Sequence, residues 1–285
     1  MKKLCKYGIK FLDDKIGGIY DEDLLIIGAE SGIGKSTIAE IIAFNCNEQG
    51  VKPALFSLEN FAGNTVDKKA YQLFKTRTMQ WDLKFRQWID IKNRTPSMTD
   101  EDVHKAETMA YNMHLIERDN KDYTIDRLET DFKEVVNDGC QVIILDHLDY
   151  FDAYATDNDL QHTKRLMKTI RRLQDTYKVS VIGFSQLRKN IDKNIIIPTY
   201  DDLYGSGDKV KQATLVLMVA RADKDPVDGV YPTYFNLSKD RFGTREACEI
   251  GYNINKGKYE DSYREIKVMA RGTIVKDKKD TIGGW

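Results

Sequence analysis

Leu24-Leu25-Ile26-Ile27-Gly28-Ala29-Glu30-Ser31-Gly32-Ile33-Gly34-Lys35-Ser36-Thr37 runs from an apolar segment through a glycine-rich loop into a segment of helical period. Four consecutive apolar residues bounded by glycine predict a strand buried on both faces. Glycine in the loop lets the backbone curl until successive N–H groups converge on phosphate oxygens, and the following helix N-terminus adds partial positive charge. Lys35 is then placed to reach the β- and γ-phosphates, and the Ser36 hydroxyl to ligate Mg²⁺. The nucleotide-binding segment is expected to be Glu30, Ser31, Gly32, Ile33, Gly34, Lys35, Ser36 and Thr37, with ATP or another nucleoside triphosphate and Mg²⁺ as cofactors. The strict pattern G-x-x-x-x-G-K-[ST] departs at its first position, Ala29, which shapes the turn and carries no chemistry.

Outward from this loop, short apolar runs alternate with longer polar stretches of helical period. The strand candidates are Leu24–Ile27, Ala54–Leu58, Val142–Leu145, Val179–Phe184 and Leu215–Val219. The helix candidates are Ser36–Gln49, Asp126–Asn137 and Leu160–Tyr177. Such alternation predicts an α/β fold, a mainly parallel sheet flanked by helices. After Arg221 the pattern changes: Tyr231–Ser238 and Glu249–Asn255 are β-rich around a turn at Asp240–Thr244, which predicts a C-terminal antiparallel extension. No repeat or Pro/Gly/Ser-rich linker divides the chain. A single domain is expected over 1–285, its core about 8–261, with 277–285 a frayed tail.

Composition narrows the class. With 44 basic and 45 acidic residues the net charge is -1, so any nucleic-acid surface must be a local patch. No run approaches the roughly 20 apolar residues that cross a bilayer, so no membrane association is expected. The start, Met1–Lys6, lacks the apolar stretch of a signal peptide. Four scattered cysteines without a C-x-x-C pair argue against a zinc site or disulfide framework, and Cys46 and Cys140 read as small core residues. A cytoplasmic setting is expected.

Three further strand ends carry chemistry. Leu58-Glu59-Asn60 puts a carboxylate where parallel strands open toward ligand, and Glu59 is placed to polarise an attacking water as general base. Val142-Ile143-Ile144-Leu145-Asp146 has the Walker B form, with Asp146 holding Mg²⁺ largely through water. Val181–Gln186 ends in a neutral amide that can report a γ-phosphate to the loop beyond. His147 reads as a strand-end polar residue. Tyr123, Trp81 and Trp88 read as core or interface residues on helical or turn segments.

The order of these motifs resembles one family. A phosphate loop, a strand ending Ser57-Leu58-Glu59, an apolar strand with Asp146, a strand ending Ser185-Gln186-Leu187-Arg188 and a late Lys239-Asp240-Arg241 are together similar to the C-terminal ATPase domain of DnaB-like replicative helicases. The lead-in Leu12–Ile19 looks like that family's opening, and the similarity spans roughly Gly8–Asp261.

The resemblance implies a RecA-like core, a hexameric homo-oligomer, single-stranded DNA as partner, and a primase or loader as further partners. It implies a bacterial cell or a virus-infected bacterial host. It also implies that Arg241, as an arginine finger, and Lys239 beside it act on the neighbouring subunit's γ-phosphate. Alternate strand residues share a face, so the two can point together. DNA-contacting residues are expected at Arg188, Lys189, Lys193, Tyr204, Gly205, Ser206, Gly207 and Lys209, where lysines give sequence-blind attraction and glycine permits close approach. The family often has arginine where Tyr204 stands. The family's N-terminal helical domain and its linker do not occur in this sequence, so a stand-alone motor domain is expected. The competing reading is a RecA- or KaiC-like ATPase of recombination or regulation that assembles on DNA without unwinding it.

Overall fold

Strand by strand, the chain forms β1 (Lys3–Cys5), β2 (Ile19–Tyr20), β3 (Leu24–Ala29), β4 (Pro53–Ser57), β5 (Met79–Asp82), β6 (Gln87–Asp90), β7 (His114–Glu117), β8 (Val142–Asp146), β9 (Ser180–Gln186), β10 (Leu215–Arg221), β11 (Val230–Asp240), β12 (Ala247–Asn253) and β13 (Lys258–Ile266). These come from a computed structural model that describes residues 1–58, 79–82, 87–90, 113–117, 122–188, 197–241, 243, 245–253 and 257–268. The main sheet has nine strands in the order β13-β12-β11-β10-β3-β9-β8-β4-β7, with β3 at its centre. From β10 to β7 every pairing is parallel, and β10 through β13 pair antiparallel.

The apolar run Leu24–Ile27 divides its side chains between two cores, as a strand covered on both faces must. Leu25 and Ile27 join a cluster with Phe11, Ile38, Ile42 and Phe44, under the helices Lys10–Lys15 and Lys35–Glu48. Leu24 and Ile26 join the opposite cluster, which Leu128, Phe132, Met167 and Ile170 close from the helices Ile125–Asn137 and Asp159–Tyr177. Both of those helices start on side-chain caps. The Thr124 hydroxyl accepts from the Arg127 N–H at 3.3 Å. Asn158 and Gln161 cap each other reciprocally at 2.9 and 3.1 Å. Among the described residues, no helix is long and apolar enough to cross a membrane.

The α/β architecture with an antiparallel C-terminal extension is therefore as expected, with boundaries shifted by a residue or two. Other features differ. Trp81 and Trp88 are register partners in the two-stranded β5–β6 ribbon and do not lie on helical or turn segments. β13 is a ninth strand whose mostly polar, exposed sequence gave no apolar alternation to read. Ser206–Gln212, expected as part of a loop, is a two-turn helix. All four cysteines are buried, Cys46 and Cys140 within the two cores. The tail 277–285 lies outside the described residues.

Gly28 is the closest approach in the central strand. A Cβ built there would sit 2.3 Å from Leu203 Cδ2 and 2.8 Å from Met218 Cε. Gly28→Val should overpack this contact and cost about 1–3 kcal/mol, lowering Tm by several degrees in a calorimetric melt. An unchanged melt would mean that Leu203 does not pack on the strand.

Candidate functional site

Pairing register brings the motif-bearing strand ends to one edge of the sheet. Ala29 at the end of β3 pairs with Gln186 at the end of β9, and Ser57 at the end of β4 pairs with Asp146 at the end of β8. The Leu58 N–H donates to the Asp146 carbonyl at 2.9 Å, so the chain leaves β4 directly beside that acid. Glu59, the next residue, lies outside the described residues, as do Lys189 and Lys193.

The loop between β3 and the helix Lys35–Glu48 has the backbone that its glycines permit. Gly32 has φ +80°, with nothing within 4 Å of a built Cβ, and Gly34 caps the helix at φ +103°. Gly34 supplies no side-chain cap, so the first helical N–H groups are available to an anion. Lys35 is buried, its ammonium donating to the carbonyls of Ala29 at 3.3 Å and Glu30 at 3.0 Å. The side chain folds back over its own loop, which is where a polyphosphate would lie. Glu30 and Ser31 are exposed, and Ile33, Ser36 and Thr37 are half-buried along the same turn.

Ser36 and Asp146 offer a hydroxyl and a carboxylate, hard oxygen donors that suit Mg²⁺, which completes its shell with phosphate and water. Among the described residues no group of three His, Cys, Asp or Glu could hold a metal ion.

Beyond Asp146 stands a network that the sequence did not reveal. Asp146 and His147 are both buried. His147 Nε2 lies 3.1 Å from the side-chain nitrogen of Gln186, and Nδ1 lies 3.4 Å from Asp149 Oδ2. The Asp149 backbone N–H donates to His147 Nδ1 at 3.2 Å, which ties the ring to the turn that carries the carboxylate. The Gln186 N–H also donates to Asp149 Oδ2 at 2.7 Å. Burial would raise the Asp149 carboxyl, but His147, the Lys209 ammonium and that N–H hold it down at about 2.

Lys209, expected to contact DNA, is turned inward. It is 1% exposed, and its ammonium donates to Asp149 Oδ1 at 2.5 Å and Ser185 Oγ at 2.8 Å. A buried ammonium must be paired, and this one is committed to the protein's own carboxylate. The sequence carried no signal for this pairing, because the partners are 60 residues apart and a lysine beside glycines reads as solvated.

The other expected DNA-contacting residues divide. Tyr204 is 40% exposed and donates to Asp159 Oδ2 at 2.6 Å. Gly205 caps the helix Ser206–Gln212 at φ +62°, 3.0 Å from Thr163 for a built Cβ, so the glycine serves helix packing. Gly207 is exposed, and so is Arg188, whose Nε donates to the Leu203 carbonyl at 3.2 Å.

Lys239 and Arg241 are placed differently. A register shift at Val216/Leu217 places Val216 opposite Lys239 and Leu217 opposite Leu237, so Ser238 is the extra residue. Lys239 then reaches back within its own subunit, donating to the carbonyls of Val210 at 2.5 Å and Ala213 at 2.6 Å. Burial, with the Arg241 charge nearby, lowers its pKa. Arg241 sits past the strand end on an exposed turn.

The family described as DnaB-like helicase C terminal domain matches residues 5–261. The replicative DNA helicase DnaB of Pasteurella multocida (strain Pm70) is 26% identical over 219 residues, covering 75% of this chain and 45% of that protein. A probable replicative DNA helicase of Trieres chinensis is 23% identical over 268 residues, covering 89% and 56%. The chain thus spans about half the length of the curated relatives it matches. Among solved structures, one of an isolated ATPase domain superposes with a TM-score of 0.74 at 17% identity, covering 91% of this chain and 92% of that one. A DnaB-like replicative helicase described with its interactions with primase gives 0.71 at 17% identity, covering 90% and 62%. These likenesses share the RecA-like fold.

Asp149 gives a pH test. Its pKa is depressed from 3.8 to about 2, so the ionised form stabilises the fold by about 2 kcal/mol above pH ~4, and that contribution is lost as pH falls toward 2. Asp149→Asn should lower Tm at neutral pH and show a shallower further loss in acid than wild type. Parallel acid limbs would mean that the carboxylate does not carry this stability.

Proposed function

The chain belongs to the family of DnaB-like helicase C-terminal domains, and on that premise we propose that it is the ATP-hydrolysing motor of a hexameric helicase that translocates on single-stranded DNA in replication. The observation that carries this reading is the common edge formed by the phosphate loop, Gln186, Asp146 and the end of β4. Lys35 and the N–H groups of residues 30–37 bind the triphosphate. Ser36 and Asp146 would hold Mg²⁺, which would supply positive charge against the transferring phosphoryl group.

Glu59, one residue past Leu58, orients and deprotonates the attacking water. Gln186 faces the same edge while its N–H and side chain are tied to Asp149 and His147, so it senses the γ-phosphate. Arg241, exposed on its turn, acts on a neighbouring subunit's nucleotide. Lys239 supports that turn from within its own subunit. Arg188, Tyr204 and Gly207 face single-stranded DNA, and Lys189 and Lys193, which follow Arg188 in sequence, contact its phosphates. A primase or loader is the expected protein partner.

ATP turnover should rise several-fold on adding oligo-dT, and a forked duplex should be unwound. Turnover that DNA leaves unchanged would contradict the motor reading. Stimulated turnover without strand displacement would favour a DNA-assembled ATPase that does not unwind.

Lys35→Ala should lower kcat/KM by at least about 100-fold, and Arg241→Ala should bind ATP yet lose about 1000-fold in turnover. Mixing the two inactive variants should restore measurable hydrolysis, because Lys35→Ala subunits lend Arg241 to intact phosphate loops. Normal turnover by Arg241→Ala alone would remove the finger in trans.

A further inference from the structure

The two-turn helix Ser206–Gln212 is fastened at three places, each to a different part of the site. At its N-terminal side Leu203 is fully buried against Gly28 of the phosphate-loop strand and bridges Leu187, one residue past Gln186. In its middle Lys209 is ion-paired to Asp149 and donates to Ser185. At its C-terminal end Lys239 holds the carbonyls of Val210 and Ala213, while the Arg241 N–H donates to the Thr214 carbonyl at 3.1 Å. Asp149, the partner of Lys209, also takes the Gln186 N–H and lies beside His147, the residue after Asp146. The turn Tyr204–Gly205 stands immediately before this helix.

A charged pair buried this well resists separation, since parting the two ions leaves each desolvated without compensation. The helix therefore moves with the Gln186 edge as one body. We propose that Lys209 is a positioning residue: its ion pair with Asp149 makes this helix a strut that joins the nucleotide-sensing edge to the DNA-facing turn at one end and to the Arg241 hairpin at the other. The inference rests on the motor reading for what the turn contacts, and it adds a specific element through which nucleotide and DNA affect each other. Coupling needs such an element, whose position both sites bias.

The test uses the full chain with Lys209→Met, Lys209→Arg, and Lys209→Met combined with Asp149→Asn. The double variant removes both charges, so no unpaired ion remains to unfold it. Wild type sets the ratio of ATP turnover with and without oligo-dT. Both Lys209→Met proteins should lose at least about five-fold of that ratio through kcat in the presence of DNA, with KM for ATP little changed. Lys209→Arg, which keeps an ion pair, should recover much of it. A double variant with the wild-type ratio would overturn the proposal.

A second measurement needs no variant. On binding a non-hydrolysable ATP analogue, amide exchange at 185–187 and at 203–213 should change together in wild type. A change confined to the first segment would overturn the strut even if no variant folds. Absence of DNA stimulation in wild type would instead sink the motor reading, and the exchange measurement would still judge the strut.

Discussion

Leu24–Ala29 is buried on both faces, so it can exist only with a neighbour on each edge and helices above and below. That constraint organises the rest. β9 and β10 flank the strand in parallel, and register then brings Gln186 level with Ala29. Two strands further along, β8 and β4 set Asp146 level with Ser57. The candidate site consists of residues that leave the sheet at this edge, and their alignment is a consequence of backbone pairing. The glycine loop can curl over that edge because Gly32 and Gly34 take left-handed conformations closed to most side chains.

Much of this was legible beforehand, because parallel strands buried on both faces write themselves as unbroken apolar runs. All five predicted core strands are present, and the motif order led to the family. What stayed hidden was of two kinds. β7 and β13 lie at the two edges of the sheet, where apolar alternation is weak or absent, as in the polar run of β13. Polar networks were hidden because they join residues far apart in sequence. Asp149 resembles any turn acid until Lys209 arrives from 60 residues away.

The two inward lysines share a physical logic. Lysine is the cation most readily assumed to be solvated, yet its long stem can carry an ammonium under a helix whose carbonyls or a nearby carboxylate will hold it. Lys209 finds a carboxylate and Lys239 finds the last carbonyls of the same helix. The Ser238 bulge is what lets Lys239 turn that way, since a regular β11 would not interrupt the alternation there. Among the described residues expected to contact DNA, Arg188 and Tyr204 remain exposed.

In the proposed motor a nucleotide site is completed between protomers, one lending its phosphate loop and the next its Arg241 turn. The most direct test is the mass of the protein in solution with a non-hydrolysable ATP analogue and oligo-dT both saturating. A nucleotide-dependent particle of six chains is the predicted result. A chain that remains a monomer under those conditions would contradict the account.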